Sequence, residues 1–326
     1  MDKMDQIKSC IADEMSRFER AFEQTLTTRV PLADNVIHYF LDRRGKQLRP
    51  VVALLAAKMA GGEVTEASIQ GAVALELLHN ASLMHDDVID KSDERRGTAS
   101  INKVWDNRVA VLMGDFFFSK CLVSSNSTGS LTISNVLSDM VIRLTEGELE
   151  QLSNVRSHLL SESAYFSVIS GKTASLFASC MKVGALSVGC QETQVEQMGQ
   201  IGELMGLVFQ TRDDIFDYYP SSEIGKPSGH DILEGKVTLP LLYALQHGAE
   251  EETAELLAML DQNRELAPEQ VERLVEYAKA VGGIEYAQAK MKNLAFEAKK
   301  LLNMQPESPA RDALKALIDY FISRNH

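Results

Sequence analysis

From Pro50 to Pro220 the chain runs without a proline. A proline in a helix interior removes a backbone hydrogen bond and clashes with the preceding turn. So long a proline-free stretch permits long helices. Within it the apolar residues recur three and four apart instead of alternating, and evenly spaced short strands with turn signals between them are absent. The expected class is all-α. No linker separates the parts, so residues 1–326 are expected to form a single large helical bundle, one domain.

Two stretches are apolar almost all round: GAVALELLHNASLMHDDVID (71–90) and IGELMGLVFQTRDDIFD (201–217). A helix without a polar face belongs at the centre of a bundle, covered by other helices. The segments near 51–60, 104–121, 132–153 and 163–190 are expected to supply that cover. Loops are expected at SSNSTGS (124–130) and YPSSEIGKPSGHD (219–231). Pro268–Glu269 and Ser308–Pro309 read as helix starts.

Each central helix ends in the pattern D-D-x-x-D: Asp86, Asp87 and Asp90 in the first, Asp213, Asp214 and Asp217 in the second. Residues four apart share a helix face, so Asp86 falls with Asp90 and Asp213 with Asp217. Like charges so placed destabilise a helix by a few tenths of a kcal/mol. The negative end of the helix dipole adds to that cost, as does any burial of a carboxylate. A divalent cation removes all three penalties. Carboxylate oxygens completed by phosphate oxygens suit Mg²⁺, a hard ion. A solvated acidic helix end would explain one such motif; two copies, each ending an apolar helix, make coincidence a poor account. Glu76-Leu77-Leu78 and Glu203-Leu204-Met205 stand at the same distance before the two clusters.

Cations recur near these carboxylates: Lys46 and Arg49, Arg95 and Arg96, Lys172, and Lys226 and Lys236 flanking Asp231. Arginine holds phosphate as a fork and lysine as a point charge. Together they suggest a metal–diphosphate site. The overall balance is 33 basic against 46 acidic residues, net −13. This excludes a general nucleic-acid binder but not a local anion site. Cys10, Cys121, Cys180 and Cys190 show no C-x-x-C pairing, which argues against a zinc or disulfide framework and for a reducing compartment. The N-terminal segment has no apolar core of a signal peptide, and no run approaches the roughly 18 apolar residues of a membrane span. A cytoplasmic location is expected.

The stretches GKQLRP, ELLHNASLMHDDVIDKSDERRG, GKT, FQTRDDIFDY and GKPSGHDILEGKVTLPLL, in this order and spacing, resemble the trans-isoprenyl diphosphate synthases, and among them the long-chain polyprenyl (octaprenyl-type) enzymes. The resemblance covers nearly the whole chain. It implies an all-helical bundle around a central active-site cavity, with the two aspartate motifs facing each other. It also implies condensation of isopentenyl diphosphate with an allylic diphosphate, head to tail, for a lipid such as a quinone side chain. The six aspartates would hold Mg²⁺. Arg95 would bind the allylic diphosphate, with Lys172, Lys226 and Lys236. Lys46, Arg49, His79 and Arg96 would bind isopentenyl diphosphate. Thr173 and Gln210 would line the reacting centre beside Lys172. Where the family has Gly-Gly-Lys-Arg-x-Arg-Pro, Arg44 and Gln47 replace the first glycine and the middle arginine. No protein base is evident. A homodimer is implied, with membrane contact no more than transient, for product release.

Ala81 and Ser82 stand one turn before Asp86. By resemblance, short-chain synthases carry a bulky aromatic there, so small residues point to a long product. Ordinary helix packing accounts for most buried alanines. Phe116, Phe117 and Phe118 are candidates to close a product tunnel, although such a run is more often core. The alternatives are a short-chain farnesyl or geranylgeranyl synthase, a terpene cyclase, a non-catalytic partner subunit, and a di-iron bundle. The last needs two Glu-x-x-His motifs, of which Glu76–His79 is one; no second is found.

Overall fold

A computed structural model describes residues 3–95, 97–157, 161–219, 228–260 and 266–324. In chain order the helices are α1 (Lys3–Lys8), α2 (Ala12–Thr25), α3 (Pro31–Leu41), α4 (Leu48–Gly61), α5 (Glu66–Ile89), α6 (Ile101–Val104), α7 (Asn107–Ser127), α8 (Leu131–Ser157), α9 (Glu162–Ile169), α10 (Ser175–Ser187), α11 (Glu192–Phe216), α12 (His230–Leu233), α13 (Leu239–His247), α14 (Glu250–Leu260), α15 (Pro268–Ala280), α16 (Gly283–Asn303) and α17 (Pro309–Ser323). Among the described residues the only strands are β1 (Glu94–Arg95) and β2 (Thr98–Ala99), a two-stranded antiparallel hairpin. The fold is all-α.

The chain groups into two compact units. One comprises Met1–Met140, Leu176–Gly202 and Leu302–Ala316; the other comprises Val141–Ser175, Glu203–Leu301 and Leu317–His326.

In the first unit α5 is buried on most sides, as an apolar helix must be. It begins earlier than its apolar pattern suggests, because Thr65 and Ser68 cap each other reciprocally: Ser68 N–H donates to Thr65 Oγ1, and Thr65 N–H to Ser68 Oγ, each at 3.1 Å. Small residues let neighbouring backbones close in. A Cβ on Gly71 would lie 2.5 Å from Val183, and one on Gly184 would lie 2.4 Å from the Ala53 carbonyl. The core here is Leu54, Leu55, Val73, Leu75 and Phe177.

The stretch 124–127, expected as loop, is the last turn of α7. Serines satisfy their hydroxyls within a helix: Ser127 Oγ donates to the Val123 carbonyl at 2.9 Å, and Ser125 Oγ bonds Ser134 Oγ at 2.9 Å. Within the aromatic run 116–118, Phe117 belongs to the core, while Phe116 and Phe118 are half-buried. Phe117 is fully buried, with its ring edge-on to Phe40 at 5.0 Å.

In the second unit α13, α15 and α16 enclose Leu241, Leu274, Ile284 and Met291. Pro268 and Pro309 open α15 and α17 as expected. The expected loop 219–231 is described only at its ends, and its last two residues open the short helix α12.

Candidate active site

The first aspartate motif closes α5. Asp90 caps the helix, its N–H donating to the Asp86 carbonyl at 2.8 Å, and Lys91 turns left-handed at φ +51° to end it. Asp86 is half-buried and Asp90 exposed, whereas Asp87 is 5% exposed. That buried carboxylate is answered by Arg95 from the β1–β2 hairpin, whose Nε donates to Asp87 Oδ1 at 2.8 Å and whose terminal nitrogen donates to the same oxygen. Asn102 donates to the carbonyls of Asp87 and Ser92 and holds the turn beneath them. Burial therefore divides the motif: Asp86 and Asp90 keep exposure to solvent, while the buried Asp87 orients Arg95. A small cleft of about 60 Å³ opens beside the Asp87–Arg95 pair, walled by Phe40, Leu83, Met84 and Ile101.

Lys46 is exposed at the approach to α4, where Gln47 takes a left-handed conformation (φ +54°). Arg49, in the first turn, sets its guanidinium over the Phe177 ring at 5.4 Å. His79 is buried two turns before Asp86 on α5. Ala81 is buried, and Ser82 turns its hydroxyl back to the His79 carbonyl at 2.9 Å. Arg96 lies outside the described residues.

The second motif closes α11 in the other unit. There the helix between Tyr165 and Ser187 breaks into a π-turn at Ser170–Ala174, which carries Lys172 and Thr173. Such insertions are rare and collect at functional sites. Two glycines make room for it. A Cβ on Gly147 would lie 2.8 Å from the Lys172 nitrogen, and one on Gly171 would lie 2.9 Å from the Arg143 carbonyl. Thr173 Oγ1 donates to Gln210 Oε1 at 2.8 Å, Gln210 Nε2 donates to Asp214 Oδ1 at 2.7 Å, and Tyr165 OH donates to Asp214 Oδ2 at 2.6 Å. Lys172 Nζ pairs with Glu148 at 2.6 Å and reaches Gln151 at 3.3 Å.

Asp217, just past the helix, accepts the backbone N–H groups of His230 (2.9 Å) and Asp231 (3.0 Å). Asp213 accepts from Arg324 near the C-terminus. Lys236 pairs with Glu234; Lys226 lies outside the described residues. The carboxyls crowd one another. Burial and then the charge of Asp231 push Asp217 up to about 6, and burial with Asp231 and Asp213 holds Asp214 well above the usual carboxylate range despite its two donors.

This crowding fits a divalent cation, which favours the ionised form that the neighbours oppose. Among the described residues no three His, Cys, Asp or Glu side chains converge to form a cage of their own. Mg²⁺ needs none: it keeps waters and takes one or two carboxylates together with substrate phosphate oxygens.

Sequence reasoning brought forward Thr173, Gln210 and Asp214, and the structure joins them in one chain of hydrogen bonds. It missed Tyr165, Glu148 and Arg324. Tyr165 and Arg324 reach the motif from 49 and 111 residues away, a distance no local pattern spans.

The polyprenyl synthetase family model matches residues 30–278. The octaprenyl diphosphate synthase of Escherichia coli (strain K12) is 33% identical over 323 residues, covering 99% of each chain. Among solved structures, the polyprenyl synthase of Caulobacter crescentus, complexed with calcium and isoprenyl diphosphate, superposes with TM-score 0.91 at 32% identity, over 99% of this chain and 98% of that one. The geranylgeranyl pyrophosphate synthase of Bacteroides thetaiotaomicron gives 0.86 at 38%, over 99% and 100%. Fold and site define a prenyltransferase. The chain belongs to the polyprenyl synthetase family.

Proposed function

We propose that this enzyme joins isopentenyl diphosphate to an allylic diphosphate, head to tail, and repeats the step to make a long-chain polyprenyl diphosphate. Asp86 and Asp90 on one motif, and Asp213, Asp214 and Asp217 on the other, would hold Mg²⁺, with Asp87 keeping Arg95 in place. Bound there, Mg²⁺ supplies positive charge where the diphosphate leaves. Arg95, Lys172, Lys226 and Lys236 add fixed cations to the same developing charge. Lys46, Arg49, His79 and Arg96 take the diphosphate of isopentenyl diphosphate. Thr173 and Gln210 present polar atoms to the reacting carbons, and apolar walls exclude water from the allylic cation. The proton lost after bond formation goes to the departing diphosphate; no side chain is assigned as base.

The observation that carries the long product is the pair of small side chains, Ala81 and Ser82, one turn ahead of Asp86. The Escherichia coli relative carries the name of an octaprenyl synthase. A second reading, a geranylgeranyl-length product, is favoured by the Bacteroides relative at 38% identity. Incubating the purified chain with farnesyl diphosphate, labelled isopentenyl diphosphate and Mg²⁺, then separating the products by chromatography, decides between them. Products longer than twenty carbons support the first reading. Arrest at twenty supports the second, and no elongation supports a partner-subunit role.

A homodimer belongs to the same proposal. Leu112, Leu122 and Val123 stand 65%, 51% and 58% exposed on α7, an apolar surface that a second copy would cover. Light scattering tests it, with a monomer at micromolar concentration as the contrary result. A cytoplasmic location and brief membrane contact for product release complete the reading. Among the described residues no helix is long and apolar enough to cross a membrane.

A further inference from the structure

The π-turn that carries Lys172 and Thr173 is an uncommon backbone form, and such forms persist where their surroundings over-determine them. Its restraints can be traced one by one. Gly171 lies backbone to backbone against Gly147 of α8. Ser175 Oγ donates to the Gly171 carbonyl at 2.6 Å and ties off the far end. Lys172 Nζ is held from α8 by Glu148 and Gln151. At the near end, Ser170 Oγ donates to Glu203 Oε1 and accepts from Arg143, 2.9 Å away, while the same Arg143 nitrogen bonds Glu203 at 3.1 Å.

Of these restraints only the last reaches α11, the helix of Gln210 and the second aspartate motif. Glu203 and Gln210 stand two turns apart and so share a face of that helix. One grips Ser170 and the other grips Thr173. The two contacts together fix the turn in register against α11. Gln210 is proposed above for the reacting centre; Glu203, Arg143 and Ser170 are assigned no role in binding or chemistry there. The Arg143–Glu203 pair has side chains 44% and 25% exposed, and pairs so exposed add little to stability.

We propose that Glu203 is a positioning residue of the allylic half-site. Acting through Ser170 and steadied by Arg143, it sets the π-turn that aims Lys172 and Thr173. The inference rests on the reading that Lys172 binds the allylic diphosphate.

The test is steady-state kinetics on the full chain, varying farnesyl diphosphate and isopentenyl diphosphate separately, for Ser170→Ala, Glu203→Ala, Lys172→Ala and their pairs. Ser170→Ala and Glu203→Ala should each raise the KM for farnesyl diphosphate about fivefold to tenfold, the size of a coupling between contacting groups. The KM for isopentenyl diphosphate and the thermal midpoint should stay at the parent values. Ser170→Ala added to Glu203→Ala should cost nothing more, since both break one link. Ser170→Ala added to Lys172→Ala should cost little, because a misaimed lysine and a missing one are equivalent. An unchanged farnesyl diphosphate KM in both single variants overturns the inference, and so does a parallel rise of both KM values. Should Lys172→Ala itself leave the farnesyl diphosphate KM unchanged, the reading of the site falls and this inference with it. A strong Lys172→Ala effect beside a silent Ser170→Ala overturns the inference alone.

Discussion

Arg324, near the C-terminus, reaches back to Asp213, the first aspartate of the second motif. Its guanidinium lies over the Phe209 ring at 4.0 Å, donates to the Phe209 carbonyl at 3.1 Å and pairs with the Asp213 carboxylate; Arg212 answers by donating to the Arg324 carbonyl at 2.9 Å. The end of the chain thus fastens the end of α11. Arg324→Met keeps the stem and removes the charge. Its side chain is 10% exposed, but that of Asp213 is 38% exposed, so the cost falls below that of breaking a fully buried pair. We expect about 1–2 kcal/mol in urea unfolding. A midpoint equal to the parent's would show that the clamp contributes nothing.

Gly147 is the position at which the smallest side chain should do the most damage to the site. A Cβ there would lie 2.8 Å from the backbone nitrogen of Lys172 and 3.0 Å from the Gly171 carbonyl carbon. Those are main-chain atoms of the π-turn and cannot swing aside. Gly147→Ala should therefore displace Lys172 and Thr173. A misplacement of about 1 Å can lower turnover on the order of a hundredfold, while the helix gains from alanine's better propensity. The expected result is a collapse of kcat/KM with a thermal midpoint within a few degrees of the parent. Full activity in Gly147→Ala would mean the turn yields without consequence.

These two contacts mark where the sequence was readable and where it was not. α5 and α11 were legible because an all-round apolar pattern dictates a central helix, and their aspartates because like charges at that spacing demand an explanation. The π-turn was hidden: SGKTA sits inside the segment near 163–190, which reads only as cover for the central helices. The turn is accommodated by the close approach of Gly147 on α8, a tertiary contact that no local pattern shows. The serines at 124–127 misled in the opposite sense, since polarity suggested loop whereas the Ser127 hydroxyl bonds within its helix and that of Ser125 bonds across to α8. Arg324 and Tyr165 could not be found locally, because their meaning comes from the residues they meet. Glu203 was visible as part of a parallel with Glu76, but the two diverge. Glu76 is buried and its carbonyl accepts from Asn80, whereas Glu203 holds Ser170.

A pH-dependent contribution to stability should come from Glu162. Burial alone would raise its carboxyl, but donors from Lys290, at 2.6 Å, and Tyr286 outweigh that and hold it below its ordinary value. A carboxyl depressed in the folded state contributes stability that is present above its unfolded value, near 4.5. That stability is lost as pH falls through the folded value. Glu162→Gln should thus be less stable than the parent at pH 7, and the gap should close as the pH drops below about 4. Since Glu162 and Lys290 are each about one-third exposed, solvent screening limits the gap at pH 7 to less than about 1 kcal/mol. Urea midpoints at both pH values check this; a gap that widens in acid would reverse the assignment.

The length of the product should answer to Ala81. It is buried on α5 one turn before Asp86, beside Ser82, whose hydroxyl is turned back to its own helix. Neither side chain projects more than a few atoms, so neither can stop a growing prenyl tail that enters from the aspartates. A tyrosine at 81 would add a ring where only a methyl group stands. A core that resists overpacking by about 1–3 kcal/mol still leaves room for such a change if space for a tail is already open there. Ala81→Tyr should therefore remain folded and shift the products to shorter chains, with consumption of the first isopentenyl diphosphate preserved. Ala81→Val, adding two methyl groups, should shift them less. Chromatography of the dephosphorylated products reads both. If Ala81→Tyr unfolds the chain, the alanine is packing; if it folds and the product distribution stays as in the parent, the tail takes another route and chain length is set elsewhere.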